Sequence, residues 1–401
     1  MIKPAKKSWK KKLVLVLIGI FFGLLMTEIF LRVIGYSYPD FYTADYDRGI
    51  ALRPNAAGLY QREGQNYVSI NSAGLRDREH ATTKPPDTVR IALLGDSYCE
   101  ALQVSMEQTF WWQLQQKLEA CSAFKGKHVE VINFGVSGYG TAQELITLQQ
   151  KVWEYSPDVV MLLVTTNNDI SDNVRDLKKT DQIPYFVYQD GQLARDDSFR
   201  NSKGFRWRMS RLGRFSSWFR ESLRIVQLID YVQFFAKYKL NEWRTQPAPP
   251  TTPQAPAKQV AREASVENMI YLEPREAVWK EAWQITESLI AEMNREVRAK
   301  GAKFFLVIGS NPIQVHPDAT ARNGFASELG VANLFYGNER LVKLANREQI
   351  DSLDLAPPMQ AYAEQNKVFL HGFGKQIGNG HWNADGHKVA ADLIAQHICR
   401  Q

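Results

Sequence analysis

Four short segments carry side chains able to do chemistry. The first, Gly95-Asp96-Ser97, follows the apolar run Val89 to Leu94 and so puts a serine hydroxyl at the carboxyl end of an expected buried strand. Open parallel sheets bind their ligands at that edge. A serine hydroxyl is a weak nucleophile until an adjacent base takes its proton. The second segment, Asn133-Phe134-Gly135-Val136-Ser137-Gly138-Tyr139-Gly140, follows the run Val129 to Asn133. Its glycines let backbone N–H groups come close to a ligand. The third, Thr166-Asn167-Asn168-Asp169, follows Val159 to Val164 and offers an amide able to donate to a developing oxyanion. The fourth, His381-Trp382-Asn383-Ala384-Asp385-Gly386-His387, precedes the last helical stretch and supplies an imidazole that can act as the base.

Taken singly, each has an ordinary structural reading. Ser97 suits a helix N-cap, the glycines a tight turn, the asparagines an Asx turn or cap, and His381 the surface. His387 reads as a helix-start residue. A metal site from the two histidines is not expected, because no carboxylate or thiolate completes it at ligand spacing. The joint occurrence, in this order and with each block after an expected strand or before a helix, resembles the SGNH or GDSL hydrolases. That family is named for Ser, Gly, Asn and His in four blocks, matched here by Ser97, Gly138, Asn168 and His381. The match extends over roughly 89–170 and 300–398. It implies an α/β fold of three layers (αβα, flavodoxin-like) around a central parallel sheet. It also implies that Ser97 attacks an ester carbonyl while His381 takes its proton. The N–H groups of Ser97 and Gly138 and the Asn168 side chain would then form the oxyanion hole. The segments Leu52-Arg53-Pro54-Asn55 and Ile70-Asn71-Ser72-Ala73-Gly74-Leu75-Arg76 are similar to the lead-in of membrane-anchored bacterial members.

Two positions depart from the family pattern. Thr166 stands where the third block usually begins with Gly. More consequentially, the Asp expected two or three residues before the histidine is replaced by Asn379 and Gly378. A carboxylate there would fix the tautomer and stabilise the imidazolium. Asn379 can orient the ring but cannot balance its charge. The expectation is therefore a slow Ser97-His381-Asn379 arrangement, or a dyad using a carboxylate from elsewhere.

The elements that must position these groups follow from hydropathy. The runs at 89–94, 129–133 and 159–164 alternate with helical stretches at 109–118 and 142–155, the pattern of βαβ units and a parallel sheet. Residues 171–265 interrupt it as an insertion that includes five prolines between 247 and 257, a stiff linker. The pattern resumes with a helix at 277–299, strands at 303–308 and about 350–355, and a closing helix at 387–397. Residues 36–88 read as an irregular lead-in with a β-hairpin, and 89–398 as the hydrolase domain.

The N-terminus sets the expected compartment. Lys6, Lys7, Lys10, Lys11 and Lys12 form a basic tip (residues 1–12) before an apolar segment at 13–34. That segment approaches the ~20 residues that span a bilayer, and lysines on its N-terminal side keep that end cytoplasmic. The reading is a single-pass signal anchor with the catalytic domain outside the cytoplasm. A cleaved signal peptide and a buried core helix are the alternatives, disfavoured by the missing Ala-x-Ala site and by the flanking lysines. Glu28 and Arg32, four apart, are placed to pair.

Composition excludes other classes. Hydrophobic content of 44% and charged content of 23% fit a folded globular chain. The net charge of +6 is concentrated, since residues 200–244 hold eleven Lys or Arg against three Asp or Glu. No nucleic-acid motif accompanies it. Scattered aromatics in 200–228 leave three readings: a solvated surface, an interfacial segment near anionic headgroups, or a groove for an acidic polysaccharide. The three cysteines, Cys99, Cys121 and Cys399, form no scaffold or zinc pattern, though one pair would oxidise in an exported domain. No metal or organic cofactor is implied. The expected partner is an ester-bearing glycan or lipid, with the membrane held through the N-terminal helix. The expected function is an esterase removing short acyl groups, acetyl foremost, from an extracytoplasmic glycan. An exopolysaccharide O-acyltransferase using the same Ser–His pair is the second reading, and a non-catalytic glycan-binding module the third.

Overall fold

The computed structural model describes residues 9–244 and 268–400. Lys6, Lys7 and the proline-rich segment 247–257 lie outside the described residues. In chain order the elements are α1 (Trp9–Val33), β1 (Tyr42–Asp45), β2 (Gly49–Leu52), β3 (Ala57–Tyr60), β4 (Asn66–Ser69), β5 (Thr88–Leu94), α2 (Ser97–Glu100), α3 (Phe110–Glu119), β6 (His128–Asn133), α4 (Thr141–Gln150) and β7 (Val159–Val164). They continue with α5 (Arg175–Lys178), β8 (Tyr185–Gln189), β9 (Gln192–Asp196), α6 (Lys203–Met209), α7 (Arg211–Ser222), α8 (Arg224–Arg244), α9 (Ala277–Ala299), β10 (Lys303–Ile308), α10 (Ala319–Leu329), α11 (Tyr336–Arg347), β11 (Asp351–Asp354), α12 (Ala356–Asn366) and α13 (Ala384–Cys399).

The central sheet has five parallel strands in the order β11-β10-β7-β5-β6. Successive side chains on a strand point to opposite faces, and here both faces are covered. Ala92, Leu94, Leu162 and Leu306 face one core, with Leu145 of α4, Leu289 of α9 and Leu341 of α11. Ile91, Leu93, Leu163 and Val307 face the other, with Leu114 of α3, Met359 of α12 and Ile394 of α13. That is the three-layer αβα arrangement. The chain leaves β5 to form β6 on one side and then crosses to β7 on the other, so β5 marks the switch point where ligands bind in such sheets.

Several local expectations change. The helix expected over 142–155 stops at Gln150, and Val152–Tyr155 tightens into a 3₁₀ turn. Helices α10, α11 and α12 and the β8–β9 hairpin were not anticipated from the sequence. The lead-in forms two hairpins, β1–β2 and β3–β4, where one was expected. Its own small core holds Phe41, Leu52, Val68 and Ile70 together with Leu102, Val136 and Tyr139 of the sheet domain. The lead-in therefore packs against the two loops that follow β5 and β6. Cys121 and Cys399 form a disulfide that ties the end of α13 to the loop after α3, and Cys99 is a buried thiol.

Candidate active site

Ser97 is the first residue of α2, immediately beyond β5. The N-cap is Asp96, whose side chain accepts from the Tyr98 N–H at 2.9 Å, so the Ser97 hydroxyl is not used as a cap. It lies 2.7 Å from His381 Nε2 instead. The two residues are 284 positions apart in sequence and meet because the loop before α13 returns to the carboxyl end of β5.

That loop is fixed from both sides. Backbone pairing joins His371 and Trp382, and the Gly372 N–H donates to the His381 carbonyl at 2.8 Å. Trp382 is fully buried and its indole N–H donates to Ser310 Oγ at 3.0 Å. His387 does not approach the serine. It is buried, stacks on Phe110 and accepts from the Phe110 N–H through Nδ1 at 3.3 Å. Burial pushes its pKa down to about 3, so it stays neutral.

The third member of the hydrogen-bonded chain is Glu63, from the loop between β3 and β4. Its Oε2 contacts His381 Nδ1 and its Oε1 accepts the His381 N–H at 2.8 Å. Asn379 does not take this place. Its Oδ1 is buried with no hydrogen-bond partner, and the ring nitrogen it was expected to meet is occupied by Glu63. The backbone around Gly380 explains the choice. Gly380 has φ +79°, and a Cβ there would collide with Glu63 Oε1. The glycine thus admits a carboxylate from outside the histidine loop. No pattern in the lead-in sequence singles out Glu63; the missing Asp was the only sign that a carboxylate had to come from elsewhere.

The electrostatics of the pair are mutual. Burial alone would lower the His381 pKa, but the hydrogen bond and charge of Glu63 outweigh it and hold the imidazole above its ordinary value. Burial alone would raise Glu63, but the hydrogen bonds and charge of His381 hold it below the usual carboxylate range. Each ion favours the other, the condition for a base that must become an imidazolium.

Opposite the histidine, Gly138 and Asn168 line the same cleft as Ser97 and His381. Gly138 has φ +79°, a left-handed conformation that glycine adopts without strain. The preceding Ser137 is pinned, because its N–H donates to Glu100 Oε2 at 2.8 Å and its hydroxyl contacts the same oxygen. Tyr42 of the lead-in donates to that oxygen too, at 2.9 Å. Glu100 is fully buried, and burial pushes its pKa up to about 7 against these donors and Arg76. Asn168 Oδ1 lies 2.8 Å from Thr165 Oγ1, which leaves Nδ2 as the donor available to a ligand. The sequence did not single out Glu100, Tyr42 or Thr165, which touch no expected reacting atom.

The cleft encloses about 410 Å³ and its far wall is aromatic, with Tyr38, Tyr42 and Tyr60 from the lead-in. A second cavity of about 490 Å³ adjoins it, sharing Tyr38, Asp40 and Tyr42 and reaching Trp218 of α7. Among the described residues no group of His, Cys, Asp and Glu is arranged to hold a metal ion.

No family model matches this chain, and no curated protein matches it in sequence. Among solved structures, it is similar to an acetyl xylan esterase, AlAXEase, with 13% identity, TM-score 0.38, and coverage of 77% of this chain and 100% of that one. It is similar to Axe2, an acetylxylan esterase from Geobacillus stearothermophilus, with 12% identity, TM-score 0.37, and coverage of 77% and 94%. LAE5, an alpha/beta hydrolase enzyme from the metagenome of Lake Arreo, Spain, shares 13% identity at TM-score 0.38, with coverage of 78% and 96%.

Proposed function

We propose that this chain is a serine esterase of the SGNH type, with Ser97 as nucleophile, His381 as general base and Glu63 as the carboxylate that orients and charges the base. The observation that carries it is the unbroken hydrogen-bonded chain from Ser97 Oγ through both nitrogens of His381 to Glu63. Ser97 Oγ attacks the ester carbonyl as His381 Nε2 takes its proton. The N–H groups of Ser97 and Gly138 and the Asn168 amide receive the oxyanion. The imidazolium then protonates the leaving alcohol, and water activated by the same histidine releases the acyl group. Glu63 supplies the carboxylate that the histidine loop lacks.

The substrate we infer is a short acyl ester, acetyl foremost, on a glycan. Tyr38, Tyr42 and Tyr60 beside Asp40, Arg62 and Gln103 suit a sugar ring, which offers apolar faces and hydroxyl edges. A second reading, O-acyl transfer to a glycan hydroxyl, is favoured by the adjoining cavity, which gives a donor ester and an acceptor room side by side. Release of acetate from an acetylated oligosaccharide, measured with and without unacetylated oligosaccharide, separates the two. Acetate released at the same rate in both supports hydrolysis. Donor consumed only with acceptor present supports transfer, and no turnover of either kind by folded protein contradicts both.

We further infer that α1 anchors the domain at the outer face of a membrane. It has a window of mean hydropathy 2.6 that is nowhere buried. The disulfide suits an oxidising compartment. Retention of the helix is favoured over cleavage by its ties to the folded domain: Glu28 accepts the first N–H groups of α8 at 3.1 and 3.0 Å, and Arg32 donates to the Ser222 carbonyl at 2.6 Å.

A further inference from the structure

The α6–α8 part of the insertion is built with its apolar side outward. On α7, Leu212, Phe215, Trp218 and Phe219 fall within one sector of the helix, the stripe that normally packs inward. Here Leu212 is 69% exposed, Phe215 61% and Trp218 59%. The side that packs is the opposite one. Gly213 is buried so tightly that a Cβ would collide with the Trp207 carbonyl. Trp207 of α6 and Ile229 and Val232 of α8 are exposed as well. Contiguous apolar surface of this kind on a folded domain marks an interaction site.

What covers it follows from where it is tied. The junction between α7 and α8 is clamped to the last turns of α1. Glu28 Oε1 accepts the Arg224 N–H at 3.1 Å and Oε2 the Ile225 N–H at 3.0 Å, which caps α8. Arg32 donates to the carbonyl of Ser222, the final residue of α7, at 2.6 Å. The end of α7 is therefore fixed at the level where a spanning α1 leaves the hydrocarbon. From there α7 runs for 12 residues, about 18 Å of helix. It carries Arg211, Arg214 and Arg220 against a single acid, Glu221. Aromatic and aliphatic side chains with arginines on one helix suit the boundary between acyl chains and anionic headgroups.

We propose that α7, with the exposed flank of α6 and α8, is an interfacial surface that lies on the anionic lipid headgroups of the membrane that α1 crosses. The inference rests on the anchored reading above and adds a second, planar contact to it. Two contacts fix the tilt of the domain, where a lone helix leaves it free to swivel. Trp218 lines both the docked face and the second cavity, so docking sets the extended cleft beside the headgroups.

The test uses the full chain in nanodiscs of phosphatidylethanolamine and phosphatidylglycerol. Nitroxide labels are placed on Leu24→Cys, Leu212→Cys, Phe215→Cys and, for reference, the exposed lead-in variant Tyr67→Cys. Cys121 and Cys399 are bonded and Cys99 is buried, so the introduced thiol is the one that labels. Variants are retained only if they melt with the wild type. The expected result is loss of access to a water-soluble nickel relaxant, with gain of access to oxygen, at 24, 212 and 215, and full nickel access at 67. Nickel access at 212 and 215 with 24 shielded overturns the proposal while the anchor stands, and the face then belongs to a protein partner. Nickel access at 24 as well removes the anchor and the proposal together.

Discussion

The sheet edge and the lead-in hairpin contribute to one site on different terms. Ser97, Gly138 and Asn168 follow β5, β6 and β7, and those strands are buried on both faces between two large apolar cores. Glu63 sits in the loop of the short β3–β4 hairpin, which joins the sheet domain through one small core and a few hydrogen bonds. Displacing an inner strand means disrupting a close-packed interior, whereas displacing the hairpin loop breaks little beyond the contact itself. The proposed nucleophile and oxyanion donors are thus fixed by folding, while the carboxylate depends on docking of the lead-in. The same lead-in walls the cleft with Tyr38, Tyr42 and Tyr60, so the carboxylate and the aromatic wall come from one segment.

The largest effects should come from the sheet side and the histidine loop. Ser97→Ala and His381→Ala should each cut turnover by about 10⁴–10⁶, since members of such a unit fail together. Both proteins should melt close to wild type, because neither side chain holds a core. Retained turnover in either would break the assignment of the rigid half. Next is Glu63→Gln, which keeps the size and removes the charge. A fall of up to about 10⁴ in kcat is expected, the scale seen when a triad carboxylate is neutralised. The same variant sharpens the comparison through pH. Hydrolysis needs neutral His381, so the rate rises with pH through the histidine pKa, which Glu63 holds above its ordinary value. Removing the charge should move that rise to lower pH, and an unmoved profile would uncouple the hairpin from the base.

This division also decides what could be read from the sequence. A parallel strand buried on both faces leaves a run such as Val159 to Val164, and a turn at its end is conspicuous. The positions of Ser97, Gly138 and Asn168 at the ends of β5, β6 and β7 were legible for that reason, whereas the edge strand β11, Asp351–Asp354, has no such run. Glu63 was not legible. It lies in Arg62-Glu63-Gly64-Gln65 between two four-residue strands, and nothing local says that the chain folds back 318 positions to a histidine. Helix α7 was left open for another reason: the aromatics of 200–228 read as scattered, and which side of the helix faces outward is decided by the tight seat of Gly213 and not by periodicity.

Smaller effects test the remaining assignments. Asn168→Ala should lower kcat by about 10²–10³ with little change in KM, the cost of one oxyanion donor. Asn379→Asp is the converse experiment. With Glu63 already on the ring, a second acid in the histidine loop should bring no gain in rate. It should lower the melting temperature, because Asn379 Oδ1 is buried without a partner and a charge there costs more than an amide oxygen. A faster Asn379→Asp enzyme would return the acid to the loop and take it from the hairpin.

The central claim is that a carboxylate from the lead-in activates a serine on the sheet edge. A fluorophosphonate probe, which reacts only with an activated serine, tests it most directly on the full chain in detergent. The account predicts labelling of the wild type at Ser97, none in Ser97→Ala, slowed labelling in Glu63→Gln, and wild-type labelling in Asn379→Ala variants that remain folded. A folded wild type that takes no label, or a Glu63→Gln protein that labels at the wild-type rate, would contradict it.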